Sequence, residues 1–158
     1  MTKPFSLQPL VNLAEHQNES ATRKLGQLNK QQQSAQQKLD LLYEYRKDYQ
    51  NKLQEAIRSG MSPVELRNFE QFIQKINHAI GQQLKAVEQS KASTQIGRNE
   101  FDTARRKLKS LDTLKQRHIE TQKKAEQKAE QKAQDEHSGR LAAYKTHNDE
   151  ETEVEDRS

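Results

Sequence analysis

Five histidines (His16, His78, His118, His137 and His147) and 23 Asp and Glu side chains are the residues of this chain whose types suit metal binding or acid–base chemistry. Their spacing assembles neither. No two histidines have the H-x-x-x-H separation that puts both imidazoles on one helix face, and no other spacing converges ligands on a metal. The five glycines are isolated, so no Gly-rich loop exists to cradle a phosphate, and the chain is not expected to hydrolyse nucleotides itself. Cysteine is absent, which removes thiolate metal sites, redox pairs and disulfides and fits a reducing compartment. No metal, cofactor or catalytic residue is expected. Aromatic side chains are the remaining groups capable of specific recognition. Of the eight, Tyr43, Tyr45, Tyr49, Phe69 and Phe72 fall within thirty residues of one another.

The elements that must position them follow from composition and period. Hydrophobic residues make up 30% of the sequence and charged residues 32%, too little apolar content for a compact core of ordinary size. That leaves a disordered chain or long helices burying a narrow seam. Periodicity decides for helices. Leu7, Ala14, Ala21, Leu28, Ala35, Leu42, Tyr49 and Ala56 are seven apart, and the interleaved positions are Val11, Asn18, Leu25, Gln32, Leu39, Arg46 and Leu53. Heptads sustained this long predict a coiled coil in which Asn18, Gln32 and Arg46 fix register.

The run stops at Ser59-Gly60-Met61-Ser62-Pro63, where glycine ends one helix and proline suits the first turn of the next. Ser62 and Glu65 have capping-box spacing, with Met61 and Leu66 placed as a hydrophobic staple. A second seam begins at once with Leu66, Ile73, Ile80, Val87, Thr94, Phe101 and Leu108, interleaved with Phe69, Ile76, Gln83, Ser90, Gly97, Ala104 and Leu111. If the two helices pack antiparallel about this turn, facing residues have numbers summing to roughly 122. Large residues then face small ones, Leu25 meets Gly97, and polar Gln32 meets polar Ser90. The second seam loses its large residues close to where the first helix ends, which favours pairing within one chain over pairing with a copy.

The predicted fold is therefore all-α, a long two-helix antiparallel coiled-coil hairpin over residues 1–134 with an unpaired C-terminal helical extension. Helix 1 is expected at about 6–59, the turn at 59–63 and helix 2 at about 63–134, with 135–158 a flexible acidic tail after Ser138-Gly139. The paired part would be about 80 Å long. Residues 105–132 hold ten Lys or Arg against four acids, whereas Asp149-Glu150-Glu151-Thr152-Glu153-Val154-Glu155-Asp156 is acidic, so the basic stretch could meet an anionic surface. It contains no Phe, Tyr or Trp, which argues against a nucleic-acid binder. No segment has the roughly 18 consecutive apolar residues of a membrane span, and the N-terminus lacks a signal-peptide core, so a cytoplasmic protein is expected without membrane insertion.

On this hairpin Tyr49 and Phe69 are seam residues, while Tyr45, Phe72 and Ala79 occupy g positions on one edge. Tyr45 is expected between Phe72 and Ala79, an apolar stripe on an edge otherwise built of residues such as Lys24, Lys38, Lys52 and Glu100. Apolar clusters rimmed by charge mark binding sites, so a protein partner is expected here.

The run Leu41-Leu42-Tyr43-Glu44-Tyr45-Arg46-Lys47-Asp48-Tyr49, with Asn68-Phe69-Glu70-Gln71-Phe72-Ile73-Gln74-Lys75-Ile76-Asn77-His78-Ala79-Ile80 after the turn, resembles the flagellar export protein FliJ family of Gram-negative bacteria. The resemblance implies a cytoplasmic component of the flagellar type III export apparatus, peripherally associated with the inner membrane at the flagellar base. It implies a coiled-coil hairpin whose open end, where both termini lie, enters the hexameric export ATPase. Contact with the membrane export gate and recycling of late-substrate export chaperones are implied too. The gate-binding surface of the family maps here to Leu42, Tyr45, Tyr49, Phe72, Ile76 and Ala79, overlapping the stripe. Lys38 and Gln83 depart from the amide and histidine of the family's rim, and the acidic tail has no counterpart. The ATPase-binding end would comprise Val11, Ala14, Ala21, Leu108, Leu111, Lys115 and Arg117 with the basic residues from Arg105 to Lys132. The alternatives are the stalk protein of a virulence-type secretion system and a basic helical nucleic-acid binder.

Overall fold

The computed structural model describes residues 3–155, and these form two helices, α1 (Gln8–Ser59) and α2 (Pro63–Glu155), with no strand among them. The chain divides into two compact units, residues 12–108 and residues 1–11 with 109–158.

In the first unit the two helices pack against each other as an antiparallel hairpin. The connection is made by the residues expected to make it. Gly60 has φ 86°, a left-handed conformation open to glycine at little cost, and its N–H donates to the Ile57 carbonyl at 3.3 Å. Ser62 then caps α2, its Oγ accepting from the Glu65 N–H at 3.3 Å and its carbonyl from the Leu66 N–H at 3.0 Å. Met61 and Leu66 are both half-buried, as a staple requires.

The core of this unit is a strip one residue wide. Leu39, Ile76, Ile80 and Val87 are buried, with Ala35, Leu42 and Tyr49 packed against them. Polar seam residues tie the helices together through backbone carbonyls. Gln83 Nε2 donates to Ala35 O at 2.9 Å, and Thr94 Oγ1 lies 3.3 Å from Leu28 O as well as 2.8 Å from Ser90 O in its own helix. At the strip's margins Arg46 Nη1 donates to Asn77 Oδ1 at 3.1 Å and Lys24 Nζ pairs with Glu100 at 2.9 Å. The residue numbers of all four pairs sum to within four of 122. The expected facing of Gln32 and Ser90 takes a different chemical form, because Ser90 Oγ donates to Val87 O within its own helix at 2.8 Å.

Gly97 sits at a close approach of the two helices: a Cβ there would run into the Leu28 side chain and touch Leu25. Gly81 and Gly26, by contrast, face open space.

In the second unit the residues before α1 lie along α2. Lys3 O accepts from Gln122 Nε2 at 2.7 Å and lies 3.2 Å from His118 Nε2, and the Phe5 ring packs on His118 with centroids 5.4 Å apart. Pairing thus reaches Gln122, beyond the Leu7 level at which the heptads run out. From Lys123 to Val154 every residue of α2 is exposed.

The end of α2 corrects the sequence expectation, which stopped the helix near residue 134 and assigned 135–158 to a flexible tail: α2 continues to Glu155, while Asp156, Arg157 and Ser158 lie outside the described residues. A lone glycine costs a helix about 1 kcal/mol relative to alanine, and a helix already running does not have to nucleate again. Arg140, Leu141, Ala142 and Ala143 after Gly139 are good helix formers, and no proline follows. Further on, His147 lies 3.5 Å from Glu151 one turn later.

The two kinds of glycine make a stability prediction of opposite sign. Gly81→Ala should raise the thermal midpoint, gaining up to about 1 kcal/mol of helix propensity. Gly97→Val should lower it, since overpacking a tight seam costs roughly 1–3 kcal/mol. Thermal unfolding followed by circular dichroism checks both.

Candidate partner-binding surface

Five of the six Tyr and Phe residues within 12–108 gather where the hairpin is near its turn, and Phe101 lies apart from them. Tyr49 is the hub. Its ring stacks on Phe72 with centroids 4.3 Å apart and an interplanar angle of 32°, and meets Phe69 at 6.3 Å and 59°. Such tilted pairs contribute about 0.5–1.5 kcal/mol beyond the area they bury. The Lys52 ammonium lies 5.3 Å from the centroid of the same Tyr49 ring, close enough for cation–π attraction.

The six residues expected at this surface do not all reach it. Tyr45 is 50% exposed and Phe72 41% exposed, so these two rings are presented to solvent. Leu42, Tyr49 and Ala79 are half-buried, forming the shoulder from which the exposed rings rise. Ile76, at 7% exposure, is a core residue and supports the surface from below. The ring partner of Phe72 is the seam residue Tyr49, where the stripe along the edge had placed Tyr45 beside Phe72. Heptad letters give the edge of a residue but not its rotamer. A ring at g can swing over the neighbouring seam position, and that contact holds Phe72 rigid at one face while leaving the other free.

A second cluster escaped the sequence reading. Tyr43, on the opposite edge, lies under the Arg46 guanidinium at 5.1 Å, and Arg46 in turn donates to Asn77 Oδ1. Tyr43 and Leu41 are exposed, as is Leu84 on α2. The signal available in the sequence was the three-residue spacing of Tyr43 and Arg46, which places them on one helix face. Arg46, read as a register residue, therefore does two things: it bridges the helices and orders an exposed ring.

The residues expected at the terminal end divide between the units. Within residues 12–108, Ala14 is 1% exposed, and Ala21 and Leu108 are half-buried; in the other unit Val11 is 1% exposed, Leu111 and Lys115 are half-buried and Arg117 is exposed. Val11 and Ala14 are packing residues and cannot touch a partner. Arg117 can, together with the cations Lys123, Lys124, Lys128 and Lys132, all exposed. In residues 12–108 a shallow groove of about 510 Å³ runs beside the seam between Ala21 and Ala104, edged by His16, Lys24, Glu100 and Lys107. Small seam residues explain it, since two alanines leave unfilled the space that a leucine would occupy.

Among the described residues no three His, Cys, Asp or Glu side chains cluster as metal ligands, and no helix is long and apolar enough to cross a membrane. What the geometry offers is exposed aromatic rings on a stiff helical base and a helix with its whole circumference in water. Known proteins are similar to this chain over most of its length. The flagellar FliJ protein of Escherichia coli (strain K12) is 30% identical over 145 residues, covering 92% of this chain and 99% of that protein, and that of Salmonella typhi is 28% identical over the same spans. The family model described as flagellar FliJ protein matches residues 2–147, and the chain belongs to that family.

Proposed function

We propose that this chain, a flagellar export component by family, works by binding rather than catalysis and links the export ATPase ring to the membrane export gate. The observation that carries this reading is the pair of exposed rings, Tyr45 and Phe72, the second of them stacked on the seam residue Tyr49. Rigid aromatic anchors lose little conformational entropy on binding and dominate interface energetics. They form the gate-binding surface, with Leu42 and Ala79 completing its apolar shoulder. The protein acts in the cytoplasm, held at the inner face of the membrane by this contact, and the same helical surfaces serve export chaperones of late substrates in turn.

The ATPase is engaged by the exposed part of α2 and its cations, Arg117, Lys123, Lys124, Lys128 and Lys132. Lys115 and Leu111 are half-buried and help to hold this part of the helix in place. Support comes from the contrast with the rest of the chain, where one helix face is always spent on the partner helix. Among the described residues nothing covers α2 from Lys123 to Val154.

Two experiments test the two contacts separately. Replacing Tyr45 and Phe72 together by alanine should abolish swarming motility while leaving the far-ultraviolet spectrum unchanged, because neither ring is buried in the seam. Normal swarming of the double variant sinks the gate assignment. Deleting residues 123–158 removes, among the described residues, none that is even half-buried, so the shortened chain should keep its thermal midpoint and lose co-sedimentation with the ATPase. Binding retained by the truncated chain would show that the ATPase is held elsewhere.

A further inference from the structure

Residues 124–132 of α2 carry no opposite-charge pair four apart, although Lys132 with Glu136, Glu136 with Arg140 and Lys145 with Asp149 follow further along. Opposite charges four apart stabilise an isolated helix, and like charges four apart destabilise it. Here Lys124, Lys128 and Lys132 follow one another at intervals of four, as do Glu126 and Glu130. Further along the sign reverses, and Asp149, Glu150, Glu151 and Glu153 face only Lys145 in number. At about 100° of turn per residue, Lys128, Lys132, Glu150 and Glu153 all fall within about 60° of one another around the helix. They form one edge, basic at its start and acidic at its end.

Beside that edge lies a face of small and apolar residues. Ala125, Ala129, Ala133, Ala143 and Val154 share about 80° of the helix surface, with Tyr144 at its margin. Tyr144 and Val154 are each 71% exposed, among the most exposed large apolar side chains of the chain. Glu136 and Arg140 also lie on this face, as do His147 and Glu151, each pair spaced four apart, and the second pair lies 3.5 Å apart within the helix. The acids from Asp149 onward lie beyond the segment matched by the family, which ends at residue 147.

We infer that this face binds the same segment of a second copy of the chain, in antiparallel orientation. The charge edge selects both the occupant and the direction. In an antiparallel helix pair equivalent edges meet, so the basic start of one edge lies along the acidic end of the other. Pairing about a two-fold axis near residue 141 puts Lys132 level with Glu150 of the copy and Lys128 within about one residue of Glu153, twice over by symmetry. A parallel pair would set acidic end beside acidic end. Residues 12–108 keep their own seam in each copy, so the association joins two intact hairpins. It does not rest on the contacts with ATPase or gate.

Sedimentation velocity of the full chain over a concentration series tests the inference. A monomer–dimer equilibrium is expected at low ionic strength, weakening as salt is raised because the edge charges are exposed. Lys128→Glu with Lys132→Glu should abolish it, as should Glu150→Lys with Glu153→Lys, each with unchanged helicity. An equimolar mixture of the two variants should dimerise again, since each edge now complements the other's. A wild-type chain that stays monomeric at low salt overturns the inference and leaves the face to a different protein. Dimers that persist in both charge variants, or a mixture that stays monomeric, overturn it as well.

Discussion

Each helix in residues 12–108 carries its apolar side chains along one narrow strip, and that strip leaves water only by lying against the other helix. Nothing else is available to cover it, because a chain with 30% hydrophobic residues has no third layer to contribute. The consequence is a core in which few residues are fully buried and most seam residues are half-buried. Apolar contact of this kind is non-directional and tolerates sliding by a heptad. Register must therefore come from groups that do have direction. Thr94 and Gln83 supply it, reaching across to Leu28 and Ala35 carbonyls, and Gly97 supplies it sterically by accepting Leu28 where any other residue would push it away.

The aromatic surface depends on this register. Tyr49 and Phe72 belong to different helices, and their rings meet at 4.3 Å only when the helices are in step. A shift of one heptad would bring Tyr49 to the level of a residue seven away from Phe72, with no ring to meet it. Arg46 and Asn77 hold the other edge by the same logic. The binding surface is thus a product of the pairing, and the exposed rings inherit their rigidity from a seam in which they take only a partial share.

What could be read in the sequence was whatever heptad spacing and local turn chemistry determine. The facing of Leu25 and Gly97 and the neighbourhood of the five aromatic residues follow from positions on a wheel, and the turn at Gly60 and the cap at Ser62 follow from residue type and capping-box spacing. What could not be read was settled by side-chain rotamers and by single long-range bonds. Phe72 turning towards Tyr49, Arg46 ordering Tyr43, and the Lys3 carbonyl taking donors from Gln122 and His118 have no periodic signature. Placing the end of α2 near residue 134 had a different cause. Ser138-Gly139 and the acidic run were read as the end of a helix that already continued past its seam, and seam and helix are indeed separate properties: the seam needs large apolar residues, whereas the helix needs only favourable backbone propensities and a start already made.

That separation bears on why α2 continues unpaired. A helix in water gains nothing from tertiary burial, so residues 123–154 rely on alanine and the long polar residues that lose little entropy on becoming helical. The natural supplement would be Glu and Lys four apart, worth a few tenths of a kcal/mol per pair. The Ala-Glu-Gln-Lys repeat forgoes it, since a period of four brings each residue back to its own kind. Sequence selected for helix stability alone would interleave the signs. Sequence that keeps lysines on one stripe and glutamates on another keeps the helix at some cost to its stability and obtains continuous charged edges instead. Such edges have value only when something lies along them. The part of α2 with no packing partner among the described residues therefore carries continuous charged edges, and its helix rests on backbone propensity alone.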